Sequence, residues 1–507
     1  MTTEVEAGTA TEHFDVLILG AGISGIGSAW HLKQQNPEKS FVVLEAQDAF
    51  GGTWWTHKYP GIRSDSDLYT FGYRFKPWTG TPIATGDKIL DYMGEVIEEN
   101  QLGDHIRYHH KVLSARWSSQ TNLWSIEAER TDTGERIAFT AGFLWMCQGY
   151  YRHDQGYTPE WPGMADFQGR VVHPQTWPQD LDCTGKKVVV IGSGATAATL
   201  VPAVADEVAK VTMLQRSPTY FVPGRNVDEL ADTLRSLEID EHWIHEIVRR
   251  QRLKFGQEFT RRSFEEPEAV KQELLAGVTA FVGPEIAAKH FTPSYRPWRQ
   301  RIAFVPEGDI FQKVKEGKAD VVTGEIERFT SKGILLKSGE ELEADIVVTA
   351  TGFHLCVLGD VDFEVDGRPV DFADTLTYRG MMFTGVPNLV WVFGYFRASW
   401  TLRVDIMGDF VCRLLAHMDE LGAKKIEVAL RAEDRDMPAL PWIDPENFNP
   451  GYLMRDMHRM PKRGDKPEWQ HTQDYWAEKT ELPKVDLDGR EFVYRGVTVR
   501  KAAMAAE

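Results

Sequence analysis

The apolar residues of this chain fall in short runs broken by glycine, and the first run sets a pattern that recurs. Residues 14–19 (FDVLIL) read as a buried parallel strand, and Gly20-Ala21-Gly22-Ile23-Ser24-Gly25 follows directly. A helix is predicted from there through about Gln35, then a strand over 41–44 that stops at Glu45. Further on the order returns. Residues 188–191 (VVVI) predict a strand, Gly192-Ser193-Gly194-Ala195-Thr196-Ala197 a second turn, and 211–214 the next strand, ended by Gln215-Arg216-Ser217. The two turns start 172 residues apart (192 − 20). A third landmark, DIVVTATGF over 345–353, is an apolar strand running into Ala350-Thr351-Gly352, where small side chains let backbone approach a bound group.

Helical spacing marks the rest. After Asp87, the residues Ile89, Met93, Val96 and Ile97 share a stripe suited to core packing. Residues 227–290 turn helical and charged (Glu241, Arg249, Arg250, Arg252, Arg261, Arg262), which predicts a helical insertion with its charges on a solvated face. Ala398-Ser399-Trp400-Thr401 leads into an apolar-periodic helix over 402–418, and the tail after Arg431, rich in Pro, Trp and charge, reads as a surface wrap or a roof over a cavity.

At 507 residues the chain has room for two or three cores. Its formal charge of −18 disfavours nucleic acid and anionic lipid as partners. The acidic start, residues 1–13, lacks the order of a secretory signal, and no 18 apolar residues run together, so a cytoplasmic protein without membrane insertion is expected. Cys147, Cys183, Cys356 and Cys412 lie far apart. They offer no disulfide framework or metal spacing, and the lack of CxxC argues against the dithiol flavoenzymes.

In the first turn Gly20 permits the tight bend, Gly22 lets backbone approach a pyrophosphate, and Gly25 lets helix and strand pack, with the phosphates on the helix N-terminus. Glu45 lies 20 residues past Gly25 (45 − 25), where a carboxylate would accept from a ribose diol. The second unit instead ends in Arg216, 19 residues past Ala197 (216 − 197). A guanidinium there suits a 2′-phosphate; the alternative is a solvated strand-end charge. The first site is therefore assigned to FAD and the second to NADPH. The fold class is α/β, with two Rossmann-like dinucleotide-binding domains. Residues 1–147 and 378–507 are expected to hold FAD, 148–185 to form a linker, 186–226 and 291–377 to hold NADPH, and 227–290 to be inserted into the NADPH domain.

Two longer strings narrow the chemistry. Gly52-Thr53-Trp54, Tyr59-Pro60-Gly61 and Asp65 fit GxWxxxx[FY]P[GM]xxxD, and residues 167–178 (FQGRVVHPQTWP) fit FxGxxxHxxxW[PD] just ahead of the second turn. In that order, between two dinucleotide turns, they resemble the Baeyer–Villiger monooxygenases. Residues 59–78 are similar to the ethionamide-activating subgroup, and the resemblance spans nearly the whole chain.

The resemblance implies that NADPH reduces FAD and that O2 forms a flavin C4a-peroxide. This attacks a ketone to give an ester or lactone, with sulfide or nitrogen oxidation as a side activity. It implies Arg301, in PWRQR (297–301), as the fixed cation, held by Asp65. Arg299, Arg296 and Arg63 are the other cations that could serve. Many relatives carry Lys-Arg where this chain has Gln300-Arg301, which leaves Arg216 less help with the 2′-phosphate. His173 suits a strut that changes partner as the domains move, or a proton-transfer residue; Trp54 and Trp177 suit packing on flavin or hinge. The expected FAD contacts are Gly20, Gly22, Ser24, Gly25, Glu45, Gly52, Thr53, Trp54, Arg63, Asp65 and Val112. Those for NADPH are Gly192, Gly194, Ala195, Thr196, Ala197, Arg216 and Ser217. The alternatives are a heteroatom-directed flavin monooxygenase, which shares this plan, and an NADPH oxidase releasing peroxide. The partners are then a small ketone or sulfide and O2, with monomer and dimer both open.

Overall fold

The computed structural model describes residues 11–471 and 473–496; the outer ends of the expected FAD-binding region, including most of the acidic start, lie outside the described residues. The first apolar run becomes the centre of a nine-stranded sheet. Glu12–Leu19 pairs in parallel with Phe41–Leu44 on one side and Arg136–Met146 on the other. Beyond Arg136–Met146 the sheet turns antiparallel through Leu123–Arg130 and His110–Ser118. Successive side chains point to opposite faces. Val16 and Ile18 enter a core with helices Ile23–Gln35 and Trp400–Leu421, while Leu17 and Leu19 enter another with Trp124 and Trp391. Burial on both faces is why the run reads as continuous rather than alternating.

The second unit is a sheet of five parallel strands in the order Ala319–Thr323, Lys210–Gln215, Lys187–Ile191, Ile346–Thr349, Arg170–Val172. Val188 and Val190 meet helix Ala195–Val204, and Val189 and Ile191 face the three-stranded sheet of Ile326–Phe329, Gly333–Leu336 and Glu341–Glu343. Both units are Rossmann-like α/β. The chain crosses between them twice, along Tyr151–Gly156 and back along Phe353–Leu355, and these two segments pair antiparallel.

Three expectations change. The chain rejoins the first sheet before Tyr378, because Asp362–Val365 pairs with His110–Ser118. That strand, DFEV, is short and half polar, so no apolar run announces it. The inserted helices do not sit on the second unit alone: Ala231, Ile244 and Val248 join the first unit's core, whereas Val278, Val282 and Ala287 join the second's. Nor are all their charges solvated. Arg249 is 5% exposed, donates to the carbonyl oxygens of Tyr69 (2.8 Å) and Gly72 (2.9 Å), and faces buried Asp405 at 3.4 Å. Arg261 and Arg262 do keep to exposed ion pairs. Among the described residues no helix is long and apolar enough to cross a membrane.

Candidate active site between the two nucleotide turns

In the first turn Gly20 takes φ +94°, and a Cβ there would lie 2.9 Å from the Cys147 carbonyl oxygen. A Cβ on Gly25 would lie 1.8 Å from the Gly20 carbonyl oxygen, so the helix is pressed onto the turn as its spacing predicts. Gly22 faces Gly52, whose Cα is 3.6 Å from where a Gly22 Cβ would stand. The helix behind it, Ile23–Gln35, starts with no side-chain cap, leaving its first N–H groups directed at the gap. Glu45 is buried, and its carboxylate accepts from the backbone N–H groups of Ala21 (2.7 Å) and Gln47 (2.9 Å). Burial raises its pKa, against those hydrogen bonds.

The second turn repeats this with one change. Gly192 takes φ +134°, and a Cβ would lie 2.3 Å from the Ala350 carbonyl oxygen, so the ATG landmark is seated on this turn. Over Gly194 there is open space: a Cβ would meet nothing within 4 Å. Helix Ala195–Val204 again starts without a side-chain cap. Arg216 and Ser217 stand exposed on the rim.

A cleft of about 1980 Å³ joins the two turns. Its walls include every expected cofactor contact except Gly25 and Ala197, which pack helix against turn and core instead. That volume exceeds the ~300–1,000 Å³ of a single small-molecule site. The GxW string builds the near wall: Thr53 Oγ1 shares a 2.6 Å hydrogen bond with Tyr151 Oη on the crossing strand. Gly61, at φ +76°, lies against the second unit's helix, where a Cβ would be 2.6 Å from Ala203 Cβ. The motif is thus a staple between the units.

Arg301 Nη1 donates to Asp65 Oδ2 at 2.9 Å, across 236 positions of sequence. The other cations are committed elsewhere. Arg299 pairs with Glu446 at 2.9 Å, Arg296 donates to the Asn447 carbonyl oxygen at 2.9 Å, and Arg63 pairs with Asp309 at 2.6 Å. Arg63 borders the cleft and pairs there with Asp309. His173 uses both ring nitrogens on backbone: Nε2 donates to the Gly352 carbonyl oxygen (3.1 Å) and Nδ1 accepts from Gln175 N–H (3.1 Å). Burial pushes its pKa down to about 4, so the ring is neutral, as that bonding requires. Its ring fills the space beside Gly156, whose Cβ would lie 1.9 Å from His173 Cε1. It braces both crossing strands.

The flavin-binding monooxygenase-like family model matches residues 82–230, and the NAD(P)-binding Rossmann-like domain matches residues 18–79. The FAD-containing monooxygenase EthA of Mycolicibacterium smegmatis is 45% identical over 502 residues, covering 98% of this chain and 99% of its own. The chain belongs to the FAD-containing monooxygenases. Its fold is that of the OTEMO complex with FAD and NADP (TM-score 0.74, 20% identity, 96% of this chain and 100% of that one). It is also that of an ε-caprolactone-bound cyclohexanone monooxygenase (TM-score 0.72, 20% identity, 96% and 100%).

As a monooxygenase of this family the enzyme uses FAD and NADPH. The two uncapped helix starts and the open cradle over Gly194 fit their pyrophosphates. A third uncapped helix start, at Trp400, borders the cleft; Ser399 gives its hydroxyl to Thr70 (2.7 Å) instead of capping, and Trp400 Nε1 donates to Ser24 Oγ (2.8 Å).

The family motifs do not include two further wall residues, Tyr150 and Tyr452, that stand beside Arg301. Tyr150 stacks on Trp400 with ring centroids 5.3 Å apart. Only the linker string after Cys147 and the irregular tail, read as a possible roof, hinted at them.

Proposed function

We propose that this monooxygenase is of the Baeyer–Villiger type, inserting one oxygen atom of O2 beside a ketone carbonyl to give an ester or lactone. The observation that carries the reading is the Arg301–Asp65 pair, set on the wall of the cleft between the two nucleotide turns. When bound, NADPH supplies hydride and FAD carries the electrons to O2. Everything else falls to the protein. A ketone under attack develops negative charge on its oxygen, and a fixed cation stabilises it without surrendering a proton.

Arg301 meets that need. Burial works against its charge, but Tyr452, Asp65 and Tyr150 outweigh burial and hold its pKa above the ordinary arginine value. Its side chain is still 37% exposed, on the cleft side. Asp65 fixes the guanidinium's direction, and the Gly52–Gly61 staple fixes Asp65's loop against both units. The ε-caprolactone bound to the cyclohexanone monooxygenase of the same fold is a lactone, the product class expected here.

Mass spectrometry of products from the FAD-loaded enzyme, NADPH, O2 and a panel of linear and cyclic ketones with matched sulfides tests the reading. Ester or lactone is expected, falling about 100-fold or more in Arg301→Ala while NADPH still reduces the flavin. Sulfoxide or N-oxide alone would place the enzyme with heteroatom oxidation. NADPH consumption yielding only hydrogen peroxide would favour the oxidase.

A further inference from the structure

Arg301 is anchored on one side only. Nη1 has Asp65, while Nε and the hydroxyl of Tyr452 are buried without a well-formed hydrogen bond, although Tyr452 stands close enough to interact with the guanidinium and with Tyr150. A sealed, unmatched donor next to a sealed, unmatched acceptor is costly, and native interiors rarely keep such a pair apart. Tyr452 sits on helix Gly451–Asp456, against the returning crossing strand: its Cβ lies 3.4 Å from where a Gly352 Cβ would stand, and its ring is 6.1 Å from Phe353. Arg455 of the same helix donates to the Phe353 carbonyl oxygen at 3.1 Å and lies 3.5 Å over the Tyr157 ring. The helix is therefore packed on the crossing strands.

We propose that Tyr452 is a positioning residue for Arg301, its hydroxyl oxygen accepting from Nε–H once a small shift of the crossing strands brings the two together. The guanidinium is then held at Nη1 and Nε, and Nη2 is left for the substrate oxygen. A two-sided hold removes the swing about the Asp65 bond, and orientation of this kind acts on the oxygen-transfer step rather than on hydride delivery. The inference rests on the catalytic role given above to Arg301, and its test does not depend on which substrate the enzyme oxidises.

The test is Tyr452→Phe in the FAD-loaded enzyme, read three ways: product formed per NADPH consumed, ester or sulfoxide, whichever the wild type makes; the rate of anaerobic flavin reduction by NADPH; and the thermal unfolding midpoint. Oxygen transfer should fall about tenfold, reduction should stay within about twofold, and the midpoint should hold or rise, because the hydroxyl removed makes no well-formed hydrogen bond in the resting structure. Arg301→Lys keeps the charge but has no Nε–H at that place, and adding Tyr452→Phe to it should cost nothing more. A lowered midpoint, a reduction step slowed in parallel, or unchanged product yield would each overturn the proposal. A wild type that makes only sulfoxide would overturn the ketone reading and leave this measurement standing.

Discussion

The two nucleotide turns share a spacing but not what stands over the middle glycine. At Gly22 another backbone, that of Gly52, closes the gap; at Gly194 nothing lies within 4 Å. The strand that follows differs too. Glu45 is buried and locked by two backbone N–H groups, whereas Arg216 stands exposed on the rim. A walled, internally satisfied site suits a cofactor that stays, and an open, charged rim suits one that must arrive and leave at each turnover. The same local sequence grammar thus serves retention in one unit and exchange in the other.

The sharpest way to break this contrast is an alanine in each turn. Gly25→Ala puts a Cβ 1.8 Å from the Gly20 carbonyl oxygen, and should abolish FAD loading with a stability loss of roughly 3 kcal/mol or more, read by flavin absorbance and denaturation. Gly194→Ala meets no protein atom and keeps an ordinary φ of −78°, so the fold and FAD content should be unchanged. Its methyl stands where pyrophosphate approaches, and KM for NADPH should rise about 10- to 100-fold. A smaller effect sharpens the rim. Arg216→Gln should lower the ratio of kcat/KM for NADPH over NADH about tenfold, the worth of one charge-assisted contact; an unchanged ratio removes Arg216 from that role.

The smallest effect concerns the crossing strands. His173 and His153 are both pushed down to about 4 by burial, below the ordinary imidazole value of 6.5. Neutral rings are favoured in the fold, so the unfolded chain binds more protons below pH 6.5. The associated stability is complete above that value and is lost as pH falls towards 4. Denaturation at pH 7.5 and 5 should show a loss of about 1–2 kcal/mol that shrinks in His173→Asn. An identical slope in the variant would separate His173 from the effect.

What could be read from the chain follows from how local each feature is. Both turns were legible because strand, glycines and strand-end residue lie within about 30 residues, and their spacing is fixed by the geometry of one βαβ unit. Arg301 and Asp65 lie 236 positions apart, and only family resemblance paired them. Tyr150, Trp400 and Tyr452 come from three separated segments, each aromatic residue looking like ordinary core by itself. Arg249 shows the limit most plainly. It belongs to a run of charges that reads as solvated, yet its partners are carbonyl groups near residue 70 and a carboxylate at 405, which no helical period reveals.

The crossing strands have a consequence for the architecture of the gene product as well. The outgoing and returning chains run side by side, with Cys356 N–H bonded to the Tyr150 carbonyl oxygen at 2.9 Å and Tyr157 N–H to that of Gly352 at 2.9 Å. The NADPH half is consequently a guest, spliced into its host at a single doorway, with both of its ends at one place. A guest of this kind can be exchanged for a relative's by cutting at two adjacent points, leaving the host's parallel strands unbroken, provided the newcomer keeps the apolar contacts that Ala231, Ile244 and Val248 make in the host's core.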